Sequence, residues 1–275
     1  MASFKLENSF AKAVVDEHAS EIHSFIDKET GIEYMWQTDP AYWMGRNPTL
    51  FPMVGSTWDK KLHIDGKEYV TGNHGFARHS DFTCIEHDDS HLVMELKDSK
   101  DTLHEYPFAF TMRITYTLAG KTLLVSYAIT NDNDRTMPFN FGLHPAFKCP
   151  IEAGKEFTDY KLVFNAPEDI DWLDTKADAA KELGLVADEL AKTIIITDPK
   201  STETTLTDGT HGVSVGYIGY RWLAFWSPNA PFVCIEPWFS HTDFEKVDVP
   251  FEKREGTLFL APRDTFKTDY FIRIW

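Results

Sequence analysis

The chain has 275 residues, 43% of them hydrophobic and 14% aromatic, which is enough apolar surface to bury a core and excludes a disordered class. Lysine and arginine number 27 against 43 aspartates and glutamates; a formal charge of -16 repels phosphate polyanions and anionic membranes, so neither nucleic acid nor a membrane is expected as a partner. Length alone allows two small domains, but all-β sandwiches of this size routinely form one, and residues 1–275 are read as a single domain.

Residues 1–20 carry Lys5, Glu7, Lys12, Asp16 and Glu17 without an apolar stretch of signal-peptide length. No later run is long enough for a membrane-spanning helix, and a cytoplasmic protein is expected. Turn signals at Lys28-Glu29-Thr30-Gly31, Asp65-Gly66 and His87-Asp88-Asp89-Ser90 each separate two short runs that read as strands. The period-2 pattern is clearest over residues 108–118, where Phe108, Phe110, Met112, Ile114, Tyr116 and Leu118 alternate with smaller or polar residues. After Ala119-Gly120 it resumes at Leu123, Val125, Tyr127 and Ile129, which predicts a hairpin. Residues 174–192, rich in Ala, Leu, Lys and Glu, predict one or two short helices broken at Gly184. The run Tyr270-Phe271-Ile272-Arg273-Ile274-Trp275 predicts a strand of the sheet. Short strands and turns at this spacing indicate an all-β protein, a large antiparallel β-sandwich with few short helices. The three cysteines, Cys84, Cys149 and Cys234, are odd in number and far apart, which predicts reduced, mostly buried thiols.

Four segments place polar groups where strands should bury apolar ones. Residues 45–55 (GRNPTLFPMVG) embed Arg46 in an aromatic, proline-rich run, where its guanidinium can fork onto sugar hydroxyls or a phosphate, or equally pair with a surface carboxylate. In residues 72–79 (GNHGFARH), glycines flank His74 and allow close approach of a ligand to the backbone; the competing reading is an ordinary turn histidine. His74 and His79 do not have a metal-ligand spacing, and no metal is expected. In residues 139–147 (FNFGLHPAF), extended geometry puts Phe139, Phe141 and Leu143 on one face and Asn140, Gly142 and His144 on the other, so that His144 looks across small residues. In residues 232–238 (FVCIEPW), alternation places Glu236 on the face of Phe232 and Cys234. Because Pro237 cannot donate to a ladder, Glu236 is expected at a strand end or edge facing a cleft, with a buried ion pair to an arginine as the alternative.

The pieces GRNPTLFPMVG, HGFARH, FGLHPAF and CIEPW, in this order along nearly the whole chain, resemble the aldose 1-epimerase (galactose mutarotase-like) family. They look closest to its bacterial lactose-operon-associated branch, and HGFAR is also similar to the hexose-6-phosphate mutarotases. The resemblance implies a β-supersandwich with a sugar site on its concave face and an isomerase that interconverts α and β anomers without a cofactor. It maps the catalytic glutamate to Glu236, the catalytic histidine to His144, and substrate binding to His74, Arg46 and Trp226; Arg78 carries over from the phosphate-using branch. The family commonly grips substrate hydroxyls with an aspartate from its latter half, and the segment to align, Leu190-Ala191-Lys192-Thr193-Ile194, offers no acid. The implied partner is a sugar or sugar phosphate. The proximity of Glu236 and His144 is expected to favour an ion pair, raising the histidine pKa and lowering the glutamate's against burial. A non-catalytic sugar-binding protein is the alternative, and a glycoside hydrolase is disfavoured because it needs two carboxylates where the motifs supply one.

Overall fold

The structure, a computed structural model, describes residues 2–275. Alternation dictates the central hairpin: Phe110–Ala119 pairs with Thr122–Asn131 in the register Ala119 opposite Thr122, closed at Gly120, whose φ of +58° suits the turn. Phe110, Met112, Ile114, Tyr116 and Leu118 from one strand and Leu123, Val125, Tyr127 and Ile129 from the other are buried in one core. The intervening residues face outward or lie half-buried, as a sheet with one dry face requires.

This hairpin lies within a nine-stranded antiparallel sheet. Its order runs Thr175–Gly184, Lys161–Trp172, Glu203–Thr207, Gly212–Gly216, Thr265–Ile274, Thr122–Asn131, Phe110–Ala119, His91–Lys97 and Thr83–His87. The second layer is a six-stranded sheet in which Phe232–Trp238 is flanked by Trp222–Trp226 on one side and by two short strands, Gly142–Leu143 and Ala146–Lys148, on the other. Its core-facing side chains, among them Leu143, Phe147, Leu223, Phe225, Val233 and Ile235, join the hairpin's residues in a common apolar cluster. The chain is therefore an all-β antiparallel sandwich with two short helices, Lys100–Glu105 and Ala187–Leu190. No helix among the described residues is long and apolar enough to cross a membrane.

The hairpins expected at Asp65-Gly66 and at residues 87–90 form, and Thr265–Ile274 is an interior strand. At residues 28–31 the turn forms but the return is only an isolated bridge, Ile26 to Glu33. Residues 174–192 correct the helical expectation: Thr175–Gly184 is an edge strand paired to Lys161–Trp172, and only Ala187–Leu190 is helical. Backbone pairing overrides the helix propensity of Ala, Lys and Glu. The exposed Lys176, Asp178, Lys181 and Glu182 fit an edge that must not recruit another strand.

Because Ile114 is fully buried between the layers, Ile114→Ala should lower unfolding free energy by about 2–5 kcal/mol, read as a lower urea midpoint at unchanged m-value.

Candidate active site

The glutamate strand, Phe232–Trp238, organises the site. Its partner on one side is interrupted between Gly142–Leu143 and Ala146–Lys148, yet both pieces keep one register, Gly142 opposite Trp238 and Ala146 opposite Cys234. Continued through the gap, that register sets His144 opposite Glu236. On the other side Glu236 faces Ala224, so a histidine and a methyl group are its lateral neighbours. Glu236 thus lies inside a sheet, not at a strand end or edge. Pro237 is tolerated because Ile235 and Phe239 donate their N–H groups to Pro145 and Phe141 on the interrupted side, so the N–H that Pro237 lacks costs that ladder a single bond, opposite Leu143. Gly142 is held to glycine by packing: an added Cβ would stand 2.7 Å from the Trp238 ring.

The outer face of this sheet lines a cavity of about 620 Å³ that holds Glu236, His144, His74, Arg78 and Trp226 together. Four tryptophans, Trp43, Trp172, Trp226 and Trp238, form much of its wall. Trp43 lies over the His144 ring at 4.8 Å, and Trp226 meets it edge-on at 5.6 Å. Glu236 is 1% exposed and His144 7%, and the carboxylate Oε2 stands 3.2 Å from the imidazole Nε2. Oε2 makes no directional hydrogen bond among the described residues, so each of the two groups has capacity left for a guest in the cavity.

Burial dominates the electrostatics and corrects the expected direction of both shifts. It pushes the Glu236 carboxyl well above its ordinary range, against weaker opposition from the Trp238 indole and the Arg78 charge. It pulls His144 well below its ordinary value, with His74 and Arg78 acting in the same sense. Burial therefore favours the neutral carboxyl and the neutral imidazole over the ion pair.

His74 is fixed by a reciprocal clasp. Its backbone N–H donates to the Gly55 carbonyl at 2.7 Å, while the Gly55 N–H donates to its Nδ1 at 2.9 Å. Burial and then the charge of Arg78 hold its pKa down to about 3, so the ring is neutral. With Nδ1 accepting, the single ring proton resides on Nε2, and His74 is a defined donor. The clasp depends on Gly75 (φ +70°), where an added Cβ would lie 2.2 Å from the Phe51 carbonyl oxygen.

Arg46 does not line the cavity. Its guanidinium turns to His23 Nε2 at 3.3 Å and Thr38 Oγ1 at 3.4 Å, so its partners are neither a guest nor a surface carboxylate. Its main chain supports the site instead: the carbonyl accepts from Ala146 N–H at 2.8 Å, and the N–H donates to the buried Glu21 carboxylate at 3.2 Å. Where an acid was sought in residues 190–194, Lys192 and Thr193 line the rim, and Lys192 is paired to Asp174. Sequence reasoning passed over Trp43, Trp172, Trp238 and Phe244. Trp238 was recoverable by extending the alternation of Phe232, Cys234 and Glu236 by one step. Trp172 and Phe244, in edge-to-face contact at 5.0 Å, arrive from distant segments that carry no local signal.

A model of the aldose 1-epimerase family matches residues 2–247. The chain belongs to the aldose 1-epimerase family. It is 31% identical over 299 aligned residues to the chromosomal protein LacX of Lactococcus lactis subsp. lactis, with 99% of each chain covered. Its fold matches the X-ray structure of a galactose mutarotase related enzyme from Lactobacillus acidophilus at a TM-score of 0.92 and 28% identity, covering 100% of this chain and 97% of that one. A galactose mutarotase-like protein from Lactobacillus casei ATCC 334 matches at a TM-score of 0.89 and 27% identity, with 100% of both chains covered. For an aldose epimerase the cavity's aromatic wall is apt, since the C–H faces of a sugar ring stack on indoles.

Gly75→Ala should destabilise the protein by more than the ~1–2 kcal/mol expected for forcing alanine into left-handed backbone. Gly66→Ala is the control, with a similar φ of +73° but nothing within 4 Å of the added carbon. Comparison of the two denaturation midpoints isolates the clash at Phe51, and equal losses would contradict it.

Proposed function

We propose that the chain is a mutarotase that interconverts the α and β anomers of a hexose or hexose phosphate, with Glu236 and His144 as its proton-transfer pair. The observation that carries this reading is the side-by-side placement of a buried carboxyl and a buried imidazole, 3.2 Å apart, on the wall of an indole-lined cavity. Anomer exchange requires a proton to leave the C1 hydroxyl while another reaches the ring oxygen; the C1–ring oxygen bond breaks and C1 becomes an aldehyde. Rotation about C1–C2 and closure on the other face return both protons. The pair ends each cycle as it began.

Between them the two groups hold one transferable proton. Moved across the contact, it converts the neutral pair into carboxylate and imidazolium, in which Glu236 is the base and His144 the acid, as the family resemblance implies. The resting form favoured by burial is the other tautomer of the same pair, so either starting form supplies one donor and one acceptor to a sugar. Arg78 favours the carboxylate and opposes the imidazolium, and His74 Nε2–H offers a fixed hydrogen bond to a ring substituent. A sugar-binding protein without turnover has no use for a one-proton pair at the cavity wall.

Exchange between anomers, measured by NMR across free hexoses and their 6-phosphates, tests the reaction and its substrate together. Glu236→Gln and His144→Asn should each lower the catalysed rate by ~10²–10⁴-fold with the fold retained; wild-type rates in both would refute the assignment.

The pH dependence follows from the direction of the shifts. A raised Glu236 keeps its proton to higher pH than an ordinary carboxyl, and a lowered His144 refuses a second proton until lower pH than an ordinary histidine. The two shifts move the limits of the one-proton pair apart, and kcat should show a broad plateau with a fall at each extreme. Because Arg78 depresses the pKa of both groups, Arg78→Met should move both limbs of the profile to higher pH. Limbs that stay in place, or move in opposite directions, would count against this electrostatic account.

A further inference from the structure

Cys234 lies two residues before Glu236 on the same face of the strand, is fully buried, and sits opposite Ala146. Donor atoms of His144, Cys234 and Glu236 all lie within 4.8 Å of one another. We propose that these three side chains form a binding site for a thiophilic divalent cation, with zinc as the type, and that occupancy blocks the cavity's chemistry. The site shares two residues with the proposed proton-transfer pair but rests on their geometry, not on the reaction.

The donor set selects the metal class. One nitrogen, one sulfur and one carboxylate oxygen suit zinc or cobalt in tetrahedral coordination, whereas magnesium and calcium prefer oxygen alone. Donor atoms around tetrahedral zinc stand roughly 3.3–3.8 Å apart, as its 2.0–2.3 Å bonds require, so the cluster, whose donors lie within 4.8 Å, needs a contraction of about 1.5 Å at most. Glu236 Oε2 is buried and has no hydrogen-bond partner among the described residues, which leaves a lone pair directed at the cluster. Glu236 and His144 line the cavity, so the fourth coordination position opens toward it. On binding, the thiol and the carboxyl each release a proton to solvent and the imidazole donates its neutral lone pair; no electron changes hands. A bound cation occupies the lone pairs that the proton-transfer pair needs, which makes it an inhibitor of that chemistry.

The test uses the full chain, reduced and stripped with chelator, titrated with Co²⁺ alone. One equivalent should produce visible bands of four-coordinate intensity and a near-ultraviolet thiolate-to-cobalt band, and Zn²⁺ should displace both. Cys234→Ser should lose the thiolate band and weaken Zn²⁺ binding by at least the roughly 10- to 100-fold that loss of an outer-sphere partner alone costs. Cys84→Ser and Cys149→Ser should keep the band. Absence of the band in the wild type, or its persistence in Cys234→Ser, overturns the proposal. Should Cys234→Ser fail to fold, Glu236→Gln decides: unchanged Zn²⁺ affinity in that variant overturns it equally. The reading is independent of turnover, because a protein that gives the cobalt spectrum but exchanges no anomers keeps this site and loses only the proposed reaction.

Discussion

The site depends on a single backbone register. Two short strands on the same side of Phe232–Trp238 keep one pairing across a gap, and that pairing places His144 beside Glu236. Cross-strand neighbours on one face have side chains about 5 Å apart at their Cβ atoms, so the approach of imidazole to carboxylate follows from pairing and needs no flexible loop. A slip of one residue would turn one of the two into the apolar interlayer. The large residues on the opposite face, Leu143, Phe147, Val233 and Ile235, guard against that slip, because they would have to surface together.

Around this pair the fold arranges solvation and charge. The protein carries -16 overall, but the cavity wall offers Arg78 and, at its rim, Lys192. Local charge governs a small buried site, and here it falls on two groups that burial already makes reluctant to ionise. Small residues leave the space: Gly142, Ala146 and Ala224 lie beside Glu236, His144 and Cys234, while the indoles close the sides. Sheet packing and cavity are thus two faces of one alternation.

Much of this was legible in the chain. Residues 108–131 announce their strands through strict alternation, and Phe139, Phe141 and Leu143 join the core while His144 lines the cavity, as read; Asn140, expected on the His144 face, is instead held by Met53 and Thr257. Three features were not legible, each for a physical reason. Residues 175–184 have helix-forming side chains, but an edge strand takes its conformation from the strand it joins. Glu236 was expected at an edge because Pro237 lacks a donor, whereas the strand that accepts the N–H groups of Ile235 and Phe239 on either side of the proline lies 92 positions away, the difference between 236 and 144. The ionisation directions were misjudged because a sequence displays the two charges but not the tryptophans that keep water from them. Arg46 is the converse case, since its neighbours in the chain suggested a ligand-facing side chain while its tertiary neighbours, His23 and Thr38, claim it.

The strand Thr265–Ile274 lies in the middle of the nine-stranded sheet, hydrogen-bonded to Thr122–Asn131 on one side and to Gly212–Gly216 on the other. During synthesis, the two halves it joins must wait for residues made more than a hundred positions after the first of them. Until those emerge, Thr122–Asn131 presents an open edge of the kind that recruits foreign strands. Assembly of this layer is therefore gated by translation of Thr265–Ile274, and removal of that strand would cleave the sheet down its centre instead of trimming its rim.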